Sequence, residues 1–149
     1  MIAIIDSGIG NVKSIYNMFK KIGIKSIITS DNKEIRNADK YVLPGVGSFD
    51  HGIKNLRKAT FFEILEQEVL ENKKPILGIC LGMQLLTNFS EEGNENGLGW
   101  IDASTIKFDL EDKSLAIPHM GWNKVNPINN KLIFQKSGNN RFYFVHSYH

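Results

Sequence analysis

An α/β fold, a parallel sheet flanked by helices with an appended antiparallel strand region, is predicted by three observations. Short apolar runs alternate with amphipathic stretches along the first part of the chain. Glycine-bearing loops (SGIGN, PGVGSF, GICLG) follow three of those runs. Beyond the polar loop SEEGNENG the pattern changes to short strand-like stretches separated by polar turns.

Taken in order, Ile2 to Ile5 reads as a strand buried on both faces and ended by Asp6. Val12, Ile15, Tyr16, Phe19 and Ile22 then form the stripe of an amphipathic helix that Gly23 is placed to stop. Ile24 to Thr29 is a second strand and Lys40 to Leu43 a third, closed by Pro44. PGVGSF leads into a helix near Gly52 to Lys58. Thr60 and Glu63 have capping-box spacing ahead of a helix with Phe61, Leu65 and Val69 on one face. Pro75 restarts the chain into a fourth strand, Ile76 to Ile79, and a helix with Leu81, Leu85 and Phe89 on one side begins directly after Cys80. Further on, GWIDASTIKFD, HMGWNKVN and RFYFVHSYH read as strands, with turns at DLEDKS, NPINN and SGNN.

A chain of 149 residues, 42% hydrophobic and 23% charged, supports one globular domain over 1–149. Its 18 basic and 16 acidic residues are spread without a stripe or block, which argues against nucleic acid or an anionic membrane as partner. No apolar run has the length of a membrane span, and the start, MIAIID, has neither the basic residues nor the long apolar region of a secretory signal. The single cysteine fits a reducing, cytoplasmic setting.

That cysteine carries the chemistry. In a parallel sheet, ligands bind outside the carboxyl ends of the strands, where the three glycine loops should converge on one rim. A lone cysteine is by default a small core hydrophobe. Cys80, however, lies between Gly78 and Gly82 at a strand-to-helix junction, the arrangement of a nucleophile elbow. Backbone N–H groups at a helix start favour an anionic sulfur, and the N–H of Leu81 is placed to stabilise an oxyanion after Cys80 attacks a carbonyl. Gly45 and Gly47 free the PGVG backbone to point a second N–H inward. A phosphate-binding G-x-G-x-x-G reading of SGIGN fails, because Lys13 stands where the third glycine belongs. No cofactor and no metal are expected.

PGVGSF, GICLGMQLL, GLGW, PHMGWN and FVHSYH, in that order, resemble the class I (triad-type) glutamine amidotransferases. The fold this resemblance implies is flavodoxin-like. The greatest similarity is to members that supply ammonia to a cyclase subunit making imidazole glycerol phosphate in histidine biosynthesis. DSGIGN fits those members too, with Ser7 where they usually have an aromatic residue. The resemblance implies that Cys80 attacks the side-chain amide of glutamine, forming a thioester and releasing ammonia. It implies an oxyanion hole from Leu81 with Val46 or Gly47, whose flanking glycines would let the Val46 peptide flip on partner binding. Gln84, Glu92, Ser147 and Tyr148 would contact glutamine. Asn11, His119, Met120, Gly121 and Trp122 would face the cyclase subunit in a heterodimer.

The family takes its base from a downstream His-x-Glu segment, and none occurs in this sequence. None of His51, His119, His146 and His149 matches the catalytic position. The expectation is therefore of a domain incomplete at its C-terminus, poorly stable and nearly inactive alone. Two alternatives are a paralogous amidotransferase subunit for surface-sugar biosynthesis and a non-catalytic partner-binding module lacking the His/Glu pair.

Overall fold

The computed structural model describes residues 1–112, 114–126 and 141–149. It separates into two compact units, Met1–Ile106 and Lys107–His149. The first holds β1 (Ile2–Ile5), α1 (Val12–Lys21), β2 (Ser26–Thr29), α2 (Asn32–Asn37), β3 (Lys40–Gly45), α3 (Phe49–Lys58), α4 (Phe62–Leu70), β4 (Ile76–Cys80) and α5 (Leu81–Leu86). Its four strands are all parallel, in the order β2-β1-β3-β4. The second holds an antiparallel pair, β5 (His119–Lys124) and β6 (Arg141–His146). The predicted fold class is therefore observed. Among the described residues, no helix is long and apolar enough to cross a membrane.

Strand pleating divides the apolar residues between two layers. Ile4 of β1 and Val42 of β3 join Phe19 of α1 on one face. Ala3, Ile5, Tyr41 and Leu43 join Ile35, Ile53, Leu56, Leu65, Leu81 and Leu85 on the other. One buried ion pair ties this second layer to the sheet. Lys74, just ahead of β4, reaches the Glu68 carboxylate of α4 at 2.6 Å and the Arg36 carbonyl at 2.6 Å.

Several expected boundaries move, each for a local reason. Ile24 lies outside β2 because its N–H donates to the Phe19 carbonyl (2.9 Å), helping to close α1. Ile22 is likewise past the helix end and exposed, while Gly23, at φ 74°, makes the predicted stop. Pro44 does not close β3, which continues to Gly45. Because β1 pairs with β3 only as far as Val42, the missing proline N–H removes no β1–β3 bond.

The capping box at Thr60 is not formed. Phe61 is buried in the core and occupies the cap position of α4 without a side-chain hydrogen bond. Phe89 lies beyond α5, which ends where Thr87 Oγ1 donates to the Gln84 carbonyl (2.7 Å). GWIDASTIKFD is not a strand. Its backbone wraps the segment after α5 through single bonds, such as Asn88 N–H to Ala103 O (2.8 Å) and Ile101 N–H to Leu86 O (2.9 Å). The SGNN turn, and NPINN beyond Asn126, lie outside the described residues. Helix α2 has no counterpart among the expected elements; Asp31 caps it by accepting N–H bonds from Lys33 (2.9 Å) and Glu34 (3.0 Å).

Candidate active site

Cys80 ends β4 with φ 55° and ψ −121°, and α5 begins at the next residue. A positive φ is costly for a residue with a Cβ, on the order of 1–3 kcal/mol, and is held only where the surroundings fix it. The flanking glycines make that possible. A Cβ on Gly78 would overlap the backbone of Met83, and one on Gly82 would overlap the Leu43 carbonyl. The thiol is exposed rather than packed in the core. Leu81 is buried, so its side chain anchors the start of α5, where backbone N–H groups lack intrahelical partners.

Gly45 is the register partner of Cys80 across the β3–β4 ladder. Val46 and Gly47 therefore follow at one and two residues beyond the thiol's neighbour. The approach is close, since a Cβ on Gly45 would stand 2.7 Å from the Gly82 nitrogen. Val46 is exposed and Gly47 has φ 99°, a turn that only glycine makes without strain. The SGIGN loop reaches the same place, with Gly10 packed against Pro44 and Gly45. Its Asn11 caps α1, the side-chain oxygen accepting the Ser14 N–H at 3.1 Å.

One turn into α5, Gln84 presents Oε1 to the hydroxyl of buried Ser90 at 3.5 Å. The same Ser90 Oγ accepts the Glu92 N–H at 3.2 Å. Gln84 and Glu92 are thus joined through Ser90, the first residue of the polar loop SEEGNENG, which no motif marks. Partial desolvation, and then the nearby Asp50 carboxylate, push the Glu92 carboxyl above its ordinary range. His51 lies on the exposed surface of α3, its Nε2 accepting from Asn55 Nδ2 (2.9 Å).

The remaining candidates belong to the second unit. His119 and His146 are cross-strand partners with ring centroids 5.7 Å apart. The His146 ring donates its Nδ1–H to the Tyr148 carbonyl (2.7 Å), and the Ser147 carbonyl accepts the Phe108 N–H (3.0 Å). His149 stacks on Phe108 at 4.8 Å. Met120 and Trp122 are 61% and 64% exposed on either side of Gly121, which has φ 133°. The structure thus groups Cys80, Leu81, Gln84, Val46, Gly47 and Glu92 in the first unit, and His119 to Trp122 with Ser147 and Tyr148 in the second. Among the described residues no three His, Cys, Asp or Glu side chains form a group able to hold a metal ion.

Comparison with known proteins gives one family match, the model "Glutamine amidotransferase class-I", over residues 3–149. Similar proteins include imidazole glycerol phosphate synthase subunit HisH 2 of Methanococcus maripaludis, 57% identical over 150 residues. HisH 2 of Pseudomonas aeruginosa is 44% identical over 150 residues, and HisH 1 of Campylobacter jejuni is 47% identical over 151. Each match covers 100% of this chain and 74% or 75% of the relative. A solved structure described as a glutamine amidotransferase superposes with a TM-score of 0.58 at 17% identity, covering 71% of this chain and 56% of that one. That likeness concerns the fold.

Proposed function

This chain belongs to the class I glutamine amidotransferase family, and we propose on that premise that it is a glutaminase subunit supplying ammonia to a cyclase subunit in histidine biosynthesis. The observation that carries the chemistry is the elbow: Cys80 at positive φ, with Gly45 in register beside it and α5 starting behind it.

The Cys80 thiolate attacks the side-chain amide carbon of glutamine, and a C–S bond forms as the carbonyl oxygen becomes an oxyanion. The N–H groups of Leu81 and of Val46 or Gly47 hold that oxyanion. The C–N bond then breaks, the nitrogen takes up the proton that the thiol gave up, and ammonia leaves a thioester that water hydrolyses to glutamate, restoring the thiol. Gln84 and Glu92 bind the amino-acid end of the substrate. His119, Met120, Gly121 and Trp122 form a face toward the cyclase, and the exposure of Met120 and Trp122 supports that assignment. A cytoplasmic setting agrees with the single free thiol.

Labelling with a glutamine analogue bearing an electrophilic side chain tests this reading. The expected result is one adduct per chain, on Cys80, slowed by added glutamine. An adduct that glutamine does not slow would overturn it.

A further inference from the structure

The loop that carries Glu92 is held by one stripe of α3. Asp50 Oδ1 accepts two backbone N–H bonds from it, from Asn94 at 2.9 Å and Glu95 at 3.0 Å. Lys54 pairs with the Glu95 carboxylate at 3.2 Å, and Arg57 donates to the Gly97 carbonyl at 3.0 Å. Positions 50, 54 and 57 follow the i, i+4, i+7 spacing that puts side chains on one helix face. Gly93 lies so close to Asp50 that a Cβ there would overlap the carboxylate.

The helix is itself referenced to the nucleophile. Gly52 lets α3 settle on α5, where an added Cβ would stand 3.2 Å from Leu81 and 3.1 Å from Leu85 side-chain atoms. The first residue ahead of α3, Ser48, directly follows the PGVG loop. One rigid element therefore connects the backbone beside Cys80 with the loop bearing Glu92, while Ser90 ties that loop to Gln84 from the other side.

We propose that Asp50, assisted by Lys54 and Arg57, is a positioning residue that sets Glu92 against Gln84 for recognition of glutamine's amino-acid end. This rests on the glutaminase reading for its substrate. The Lys54–Glu95 surface ion pair alone adds little to stability and Arg57 holds a single carbonyl, so both are secondary and the two bonds to Asp50 are central.

The test compares Asp50→Ala with Asp50→Asn, whose amide oxygen still accepts both N–H groups. In Asp50→Ala, hydrogen exchange at the Asn94 and Glu95 amides accelerates. The concentration of electrophilic glutamine analogue giving half-maximal labelling rate rises about tenfold, as expected when a binding group is misplaced. The maximal labelling rate and the iodoacetamide rate at Cys80 stay at wild-type values, which a general loss of fold would not allow. Asp50→Asn stays close to wild type in every readout. Unchanged half-saturation in Asp50→Ala, or equal defects in both variants, overturns the positioning role alone. Wild-type labelling that does not saturate overturns the glutaminase reading and the role with it.

Discussion

The two units of this chain solve the burial problem in opposite ways. In Met1–Ile106 a four-stranded sheet is sandwiched between helices, and residues such as Ile5, Leu43, Ile53 and Leu85 are completely buried. Among the described residues of Lys107–His149, none is buried. The β5–β6 pair instead sets Met120 beside Val145 and Trp122 beside Tyr143, with all four more than half exposed. The first unit is held by its own core. Among its described residues the second unit has no such core, and its β5–β6 pair presents large apolar side chains to solvent.

Three substitutions break or sharpen this contrast, and the unit-specific tryptophans Trp100 and Trp122 serve as reporters. Leu85→Ala should have the largest effect, about 3 kcal/mol of lost stability, because a fully buried leucine at the α3–α5 contact leaves a cavity. Urea unfolding followed at Trp100, which stacks near Phe62, reads it directly. A loss below about 1 kcal/mol would mean the site collapses freely and the core is looser than described.

Next comes Glu68→Gln, expected to cost about 2 kcal/mol at neutral pH, since it removes one partner of a buried pair while Lys74 retains some solvent access. The hydrogen bond from Lys74 is the main cause that holds the Glu68 carboxyl below its ordinary range. Its contribution is therefore fully present above that range and is lost as pH falls through the lowered folded midpoint. The gap between wild type and variant should close in acid. A gap constant with pH would show that the pair contributes through shape rather than charge.

The smallest effect on stability is expected from Trp122→Ala, below about 0.5 kcal/mol in urea unfolding followed by circular dichroism, because an exposed side chain has little packing to lose. Copurification with the cyclase subunit should fall sharply in the same variant. A large stability loss with intact copurification would reverse the reading of the β5–β6 face.

What was legible in the sequence follows from how local the signals are. The strand-to-helix junction at Cys80, the glycine stop at Gly23 and the Leu81–Leu85 spacing are written in a few adjacent residues. Thr60 misled because a capping box is a local preference, and burying Phe61 in the core overrode it. The strand expected at GWIDASTIKFD failed for the same reason, its backbone partners being supplied by the distant segment after α5. Ser90 and Asp50 were invisible because a serine in a polar loop and an acid on a helix surface are the commonest residues for those places.

The sequence by itself determined the parallel architecture and the strand-to-helix junction at Cys80, since apolar periodicity and glycine placement act over a few residues, and its motifs carried the resemblance to the family. Only the tertiary structure decided which backbone lies beside Cys80, because the β3–β4 register brings Gly45 there from thirty-five positions away. It alone decided how the Glu92 loop is held, through Asp50, Lys54 and Arg57 of a helix remote in sequence. Those contacts depend on packing between elements, and packing has no signature in any one segment.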